Sequence, residues 1–453
     1  MPDRPPLGKR PSSNDKRLSP PPVKRRQQST TTNKAVANFF TPTSKKEPDK
    51  MWWCIVNKSL LVGRYSPSAA SQSTKALKGG QKIAAFDLDS TLITSASGKV
   101  FGRDATDWKW WHSSVPGSLR DLHEDGYMLA VVSNQGGISL RGDPKTVKSD
   151  QKRLADFKGK VSAVLTQLDL PISVYAATGR DQYRKPRTGM WQELLEDHDL
   201  ENADAVDLQN SFFVGDAGGR AAVAGGASKD HSCVDRDFAA NVGLAFRTPE
   251  EHFLQEDPRP FAREFDPTNF LQEGAVKSTS ASQTSFTKSD AAEIVLFCGS
   301  PGAGKSSFYW RYLEPLGYAR VNQDILKTRD KCIKTAVVLL QEGNSVVVDN
   351  TNADPDTRSS WTALASKLKV PIRCVHFTAP AKVCEHNDTV RALNLSPETN
   401  PEKRTILPKL AFTGFASRYR KPSLDEGFRE IIEMDFKFEG SEEQKKMWGR
   451  YWV

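Results

Sequence analysis

One stretch constrains this chain more than any other: E293-I-V-L-F-C298 runs directly into G299-S-P-G-A-G-K-S306. The short apolar run reads as a strand buried on both faces. The loop after it matches G-x-x-x-x-G-K-[ST], in which backbone N–H groups wrap phosphates at the start of a helix. Strand, phosphate loop and helix in that order belong to a parallel sheet covered by helices. Gly299, Gly302, Ala303, Gly304 and Lys305 are therefore candidate ATP ligands, with Lys305 reaching the β and γ oxygens and Ser306 holding Mg²⁺.

The rest of the chain falls into blocks. Its 453 residues suggest two or three domains. Residues 1–50 are rich in Pro, Ser, Thr and Lys/Arg, and are expected to be a disordered tail. They hold twelve Lys/Arg against four Asp/Glu, so eight of the chain's nine net positive charges lie there. The basic isoelectric point thus gives no reason to assign nucleic-acid binding to the folded parts. K9-R10, K16-R17 and K24-R25-R26 are clusters of nuclear-import type, and predict a nuclear protein. Residues 51–80 read as a strand or two followed by a linker. Candidate strands at 83–87, 128–133, 172–178 and 211–216 alternate with helical material over 81–265. A linker is expected over 266–290, and a second α/β series over 291–453. Two doubly wound parallel-sheet domains follow. Six cysteines without a C-x-x-C pair fit a reducing compartment. The start, M1-P-D-R-P-P, lacks the apolar core of a secretory signal, and no apolar run has membrane-spanning length. A monomer with no membrane partner is expected.

Within the first series, I83-A-A-F-D-L-D-S-T91 sets two aspartates one residue apart at the end of an apolar strand. Residues two apart in a strand share a side, so Asp87 and Asp89 can face one site, at the strand end where α/β sheets bind ligands. Like charges there need a cation, and Mg²⁺ favours carboxylate oxygens. Three later features join them. Ser133 ends M128-L-A-V-V-S before N134-Q-G-G, where a hydroxyl and backbone N–H groups can hold phosphate. Lys185 lies in Y183-R-K-P-R-T-G-M-W191, and Asp216 ends S211-F-F-V-G-D. Asp230 and Asp235 are further candidate acids for a metal. Neither the 91–133 nor the 133–185 interval has room for a large cap domain, which leaves an open site suited to a polymer end. Trp108, Trp110 and Trp111 could stack on a base, or simply be buried.

In the second series, Asp324 in V321-N-Q-D reads as a strand-end aspartate able to take a proton from an acceptor hydroxyl. Asp349 in S345-V-V-V-D-N-T-N352 is placed for the Mg²⁺ shell or the acceptor. Arg391 in H386-N-D-T-V-R can fold over ATP, or be a solvated surface charge.

The order Asp87–Asp89, Ser133, Lys185, Asp216 resembles the haloacid dehalogenase phosphatases. The second block, with V321-N-Q-D324, D349-N-T-N-A-D354 and F415-A-S-R-Y-R-K-P-S-L-D-E-G-F428, looks like the 5′-hydroxyl polynucleotide kinases. Phosphatase before kinase is the order of the eukaryotic polynucleotide kinase 3′-phosphatases, and the resemblance spans roughly residues 80–453. It implies that Asp87 is the nucleophile, Asp89 the general acid–base, and Lys185 and Ser133 the phosphoryl stabilisers. Mg²⁺ would be held by Asp87, Asp216 and the Asp89 carbonyl. The implied substrate is a DNA end at a nick, gap or double-strand break, from which a 3′-phosphate is removed and to which a 5′-phosphate is added. Ser90 stands where the family more often has glycine, and Gln323 where animal relatives have arginine. Residues 1–80 are too short and polar for the forkhead-associated domain of animal members. N33-K-A-V-A-N-F-F40 resembles a sliding-clamp box, with Asn33 in place of glutamine; the alternative is a stray hydrophobic patch. Rival readings are a metabolite kinase–phosphatase, an RNA-end repair enzyme and a non-catalytic end-binding scaffold.

Overall fold

A computed structural model describes residues 50–67, 80–100, 102–223, 226, 228–271, 286–394 and 402–453. The basic tail to residue 49, its Asn33–Phe40 motif, and positions 68–79 and 272–285 of the expected linkers lie outside the described residues. None of the described helices is long and apolar enough to cross a membrane.

The first sheet is built from β1 (Met51–Val56), β2 (Leu60–Tyr65), β3 (Ile83–Phe86), β6 (Met128–Asn134), β7 (Ile172–Ala177), β8 (Phe212–Val214) and β9 (Ala245–Arg247). A separate hairpin pairs β4 (Ile93–Thr94) with β5 (Lys109–Trp110). The strand order is β1-β2-β7-β6-β3-β8-β9. From β7 to β9 every pairing is parallel, but β2 joins β7 antiparallel and β1 joins β2 antiparallel. The purely parallel sheet expected from the sequence is thus mixed at one edge, and it begins at Met51 rather than at residue 81. A tight antiparallel hairpin needs no crossover helix, so the 51–65 segment could join without the βαβ signature that marks the other strands.

The central strands read as unbroken apolar runs because both faces are covered. Ala84, Phe86, Leu129, Val131 and Val174 meet the helices Val115–Glu124 and Val147–Leu168 on one side. Ile83, Ala85, Ala130, Val132 and Tyr175 meet Gly189–Asp197 and Val234–Val242 on the other. Trp108, Trp110 and Trp111 pack, partly buried, against the first of these cores, in accord with the plainer reading.

The second sheet is wholly parallel: β11 (Ala319–Val321), β12 (Val346–Val348), β10 (Ile294–Cys298), β13 (Ile372–Phe377) and β14 (Glu430–Met434), in that order. Its two apolar layers contain no residue of the first domain's cores. Part of the expected linker is ordered: Pro267–Phe270 forms a 3₁₀ turn, and Phe270 packs edge-on against Phe436.

Ser90 has φ of +61°, in the left-handed region, which explains why glycine suits this place. Left-handed backbone costs a residue with a Cβ about 1–2 kcal/mol, part of which glycine's extra freedom in the unfolded chain offsets. Ser90→Gly is therefore expected to stabilise the first domain by about 0.5–1 kcal/mol, read as a higher urea midpoint with an unchanged m-value.

Candidate active sites

In the first domain the functional side chains gather at the carboxyl ends of β3, β6 and β8. Asp87 follows β3, and its N–H donates to the Val214 carbonyl on β8 (2.8 Å). Lys185 is buried, and its Nζ lies 2.7 Å from both Asp87 Oδ1 and Asp235 Oδ1. Carboxylate oxygens of Asp87, Asp216 and Asp235 lie within 4.8 Å of one another. The sequence leaves Asp235 and Asp230 level as candidates. Asp235 joins the cluster, and its Oδ2 also accepts from the Ala217 N–H (3.1 Å). Asp230 does not: it accepts from the N–H groups of Gly218 and Arg220 and from the Arg220 guanidinium, shaping the A217-G-G-R turn. Gly215 is required here, because a Cβ would collide with the Asp235 carboxylate.

The electrostatics show strain that a cation relieves. Burial, then the charges of Asp87 and Asp235, push the Asp216 carboxyl up to about 8. Burial also raises Asp235, despite Lys185. For Lys185, burial opposes the charge, but Asp235 and Asp87 outweigh it and lift the pKa above the ordinary value. One ammonium thus faces three carboxylates, and the all-oxygen donor set fits a hard divalent ion. The Asp89 side chain lies outside this trio. It opens to solvent at the mouth of the site, where the enclosing protein and then the Asp87 charge raise its pKa. Gln135, which the sequence reading passes over, donates through Nε2 to Asp89 Oδ2 (2.7 Å) and Ser133 Oγ (3.1 Å). Asn134 is a second positioning residue that the sequence does not reveal: it accepts from the Lys185 N–H (2.9 Å) and donates to the Lys185 carbonyl (3.2 Å). Both lie in N134-Q-G-G, a motif whose glycines point to backbone donors alone. No cap domain occurs among the described residues of the 91–133 and 133–185 intervals; the hairpin β4–β5, two helices and the sheet strands β6 and β7 occupy them.

In the second domain the phosphate loop leads into the helix Lys305–Phe308. Gly302 and Gly304 have φ of +74° and +93°, and a Cβ on Gly302 would collide with the Cys384 carbonyl. Lys305 is buried, and its Nζ donates to the carbonyls of Gly299 (2.9 Å) and Ser300 (2.6 Å). Burial lowers its pKa. The Ala303 side chain is buried in the core and its N–H donates to the Ser300 carbonyl, so it braces the loop. Ser306 Oγ donates to Asp349 Oδ2 (2.9 Å). Arg320, unmarked by any sequence motif, also donates to Asp349 (2.8 Å) and reaches Glu402 (2.6 Å).

Asp324 departs from its expected place. The strand ends at Val321, and Asp324 sits exposed in the one-turn helix Gln323–Leu326, capped by Asn322 Oδ1 (2.7 Å). The asparagine ends the strand because its side chain replaces the missing helical acceptor. Arg391 lies in the last turn of the helix Ala381–Leu393, paired with Asp388. Its buried Nε has no hydrogen-bond partner among the described residues. A cleft of about 2700 Å³ is lined by Lys305, Ser306, Asp324, Asp349, Arg391 and Arg404. An orphaned guanidinium donor in a cleft with a phosphate loop fits a nucleoside triphosphate.

Comparison with known proteins finds relatives of both domains. Residues 82–253 match the family model described as polynucleotide kinase 3 phosphatase, and residues 294–407 match an AAA domain. The chain is 38% identical over 396 residues to the bifunctional polynucleotide phosphatase/kinase of Schizosaccharomyces pombe, covering 87% of this chain and 90% of that one. A polynucleotide 3′-phosphatase of Arabidopsis thaliana is 36% identical over 41% of this chain and 26% of its own length. That of Saccharomyces cerevisiae is 28% identical over 38% of this chain and 88% of its own.

The raised Asp216 pKa has a sign. The folded value of about 8 exceeds the unfolded value of about 3.9, so the native state holds the extra proton and stability falls as pH rises between them. With chelator present, Asp216→Asn is expected to be more stable than the parent by on the order of 2 kcal/mol at pH 8, with no gain near pH 4. Adding a divalent cation should raise the parent's thermal midpoint and leave the variant's unmoved.

Proposed function

The chain belongs to the bifunctional polynucleotide phosphatase/kinase family, and from that premise we propose that it repairs broken DNA ends in the nucleus. It removes 3′-phosphates in the first domain and phosphorylates 5′-hydroxyls from ATP in the second. The observation that carries the first reaction is the contact of Lys185 with Asp87 in a site open to a polymer. A carboxylate held at 2.7 Å by an ammonium at a strand end is oriented for attack on phosphorus.

In the phosphatase reaction an Asp87 carboxylate oxygen bonds to the phosphorus as the bond to the 3′-oxygen breaks, giving an aspartyl-phosphate. Asp89, whose raised pKa favours the protonated acid, gives its proton to the departing oxygen, then takes one from the water that cleaves the aspartyl-phosphate. Gln135 orients Asp89, while Lys185 and the Ser133 hydroxyl offset charge on the phosphoryl oxygens. Asp87, Asp216 and Asp235 would hold Mg²⁺, which when bound supplies Lewis-acid stabilisation of that charge. In the kinase reaction Asp324 takes the proton of the 5′-hydroxyl. The new oxygen–phosphorus bond forms at the γ-phosphate as the bond to the ADP oxygen breaks, while Lys305 and Arg391 balance the developing charge.

A polyanionic substrate is supported by Arg180 and Arg184 beside the phosphatase site. Burial, then the neighbouring Arg180 charge, lower the pKa of Arg184, and its guanidinium lies against Gly136 of the phosphate-holding loop. Nuclear DNA in preference to RNA is supported by the import-type clusters at K9-R10, K16-R17 and K24-R25-R26. The reading is tested on nicked duplex bearing 3′-phosphate and 5′-hydroxyl ends, against the matching RNA: DNA should be processed at least tenfold faster.

Asp87→Asn is expected to lower 3′-phosphate release by at least a thousandfold with 5′-phosphorylation intact, since an amide is no nucleophile. Lys305→Ala should give the reverse pattern, with phosphatase turnover continuing without ATP. Retained phosphatase turnover in the first variant would overturn the assignment of the nucleophile. Deleting residues 1–49 should spare both activities on short oligonucleotides but flatten the plot of log affinity against log salt on long duplex. The slope should fall by about 0.9 for every DNA phosphate that the tail neutralises in the full chain.

A further inference from the structure

Two residues beyond the second sheet, Tyr451 and Trp452, touch the wall of the first active site. After the helix Glu442–Trp448, the chain passes Tyr451 and Trp452 against the loop that carries Lys185. Asn241, on the helix Val234–Val242, is the joint. Its Nδ2 donates to the Pro186 carbonyl (2.8 Å) and to the Tyr451 carbonyl (2.7 Å), and its Oδ1 accepts from the Tyr451 N–H (2.9 Å). Arg187 is the second tie. Its Nε donates to the Trp452 carbonyl (3.1 Å), while Nη1 donates to the carbonyls of Arg180 (2.9 Å) and Asp181 (2.7 Å). The Arg263 guanidinium lies 4.6 Å from the Tyr451 ring centre and is itself paired with Asp237 (2.7 Å).

These ties flank Lys185 directly in the chain. The lysine backbone is clasped by Asn134 on one side, and Pro186 and Arg187 are tied to the kinase end on the other. The kinase end is equally anchored. Trp452 Nε1 donates to the Met447 carbonyl (2.9 Å), and Trp448 Nε1 donates to Asn387 (2.7 Å), whose Nδ2 donates to the Gly302 carbonyl of the phosphate loop (3.0 Å). Hydrogen bonds and one short helix thus run from the nucleotide loop to the phosphatase lysine.

We infer that Tyr451 and Trp452 are positioning residues for the 3′-phosphatase reaction. Through Asn241 and Arg187 they hold the Lys185 loop in register with Asp87 and Asp235, so the kinase domain completes the phosphatase site without touching its substrate. The inference rests on the role given to Lys185 above. A lysine that must meet two carboxylates at 2.7 Å tolerates little drift of its loop, because a misplacement of about 1 Å costs on the order of a hundredfold in well-oriented reactions.

The test is Tyr451→Pro in the full chain, which removes the N–H that Asn241 accepts from. Asn241→Asp serves as a second variant that removes the Nδ2 donor while keeping the side-chain shape. Both are expected to lower phosphatase kcat by about five- to fiftyfold at unchanged KM for a 3′-phosphate oligonucleotide, with 5′-kinase rate and thermal midpoint within error of the parent. The double variant should lose no more than the worse single one, as expected for one shared contact. Parent-like phosphatase kcat in either folded single variant would overturn the inference. So would a parallel loss of kinase rate and thermal stability, which marks a purely structural joint. An inactive parent would instead refute the phosphatase reading itself, and Lys185→Ala, assayed alongside, separates these outcomes: if it retains full turnover, the lysine's role fails.

Discussion

The bond between Lys185 and two buried carboxylates is the constraint around which the first domain is arranged. Three acids within 4.8 Å of one another are a standing liability, and a single ammonium cannot neutralise them. The fold accepts this because the charges sit where strand ends already concentrate backbone donors, as with the Ala217 N–H on Asp235. A fully paired site would be more stable, and would leave less negative charge to draw a cation. Burial and, after it, this excess negative charge raise the Asp216 and Asp89 pKa values, and the same charge would favour a divalent cation.

Both domains solve the same mechanical problem with carboxamides. Asn134 clasps the N–H and carbonyl of Lys185, and Asn241 does the same to Tyr451. In the kinase domain Asn322 caps the Asp324 turn and donates to the Asp349 carbonyl, while Asn387 ties the phosphate loop to Trp448. An amide side chain donates and accepts together and carries no charge. It can therefore join loops beside a phosphoryl group without altering the local potential, which a lysine or glutamate in the same place would do.

What is legible in the sequence follows from this physics. The strands Ile83–Phe86, Met128–Asn134 and Ile294–Cys298 are readable because burial on two faces leaves mainly apolar residues. The phosphate loop, Asp87, Lys185 and Asp216 are readable because short motifs lie where strands end. Asp235 is merely one of two candidates, since it reaches the site from a helix in a later crossover and no local pattern marks it. Asp324 is misplaced onto a strand because Asn322 ends β11 two residues earlier, a capping event that composition does not announce. The antiparallel β1–β2 edge, Gln135, Arg320 and the Asn241 joint depend on pairings between distant segments, to which local periodicity is blind.

The separateness of the two sheets bears on how they work together. Their cores share no residue, so each can hold its own shape, and an expected linker joins them. Among the described residues, contact between them includes backbone carbonyls, two arginines, an asparagine, the ion pair of Lys382 with Glu264 (3.9 Å) and aromatic rings, such as Phe265 tilted on His386 (5.1 Å between ring centres). His386, pushed down to about 4 by burial, stays neutral there. Interfaces of this polar kind release more readily than apolar ones. A polar joint that also braces Lys185 means that relative movement of the domains reaches phosphatase chemistry first. The phosphate loop is tied within its own domain, with Asn387 donating to the Gly302 carbonyl and the Lys305 ammonium to those of Gly299 and Ser300, so such movement reaches it through the helix Glu442–Trp448.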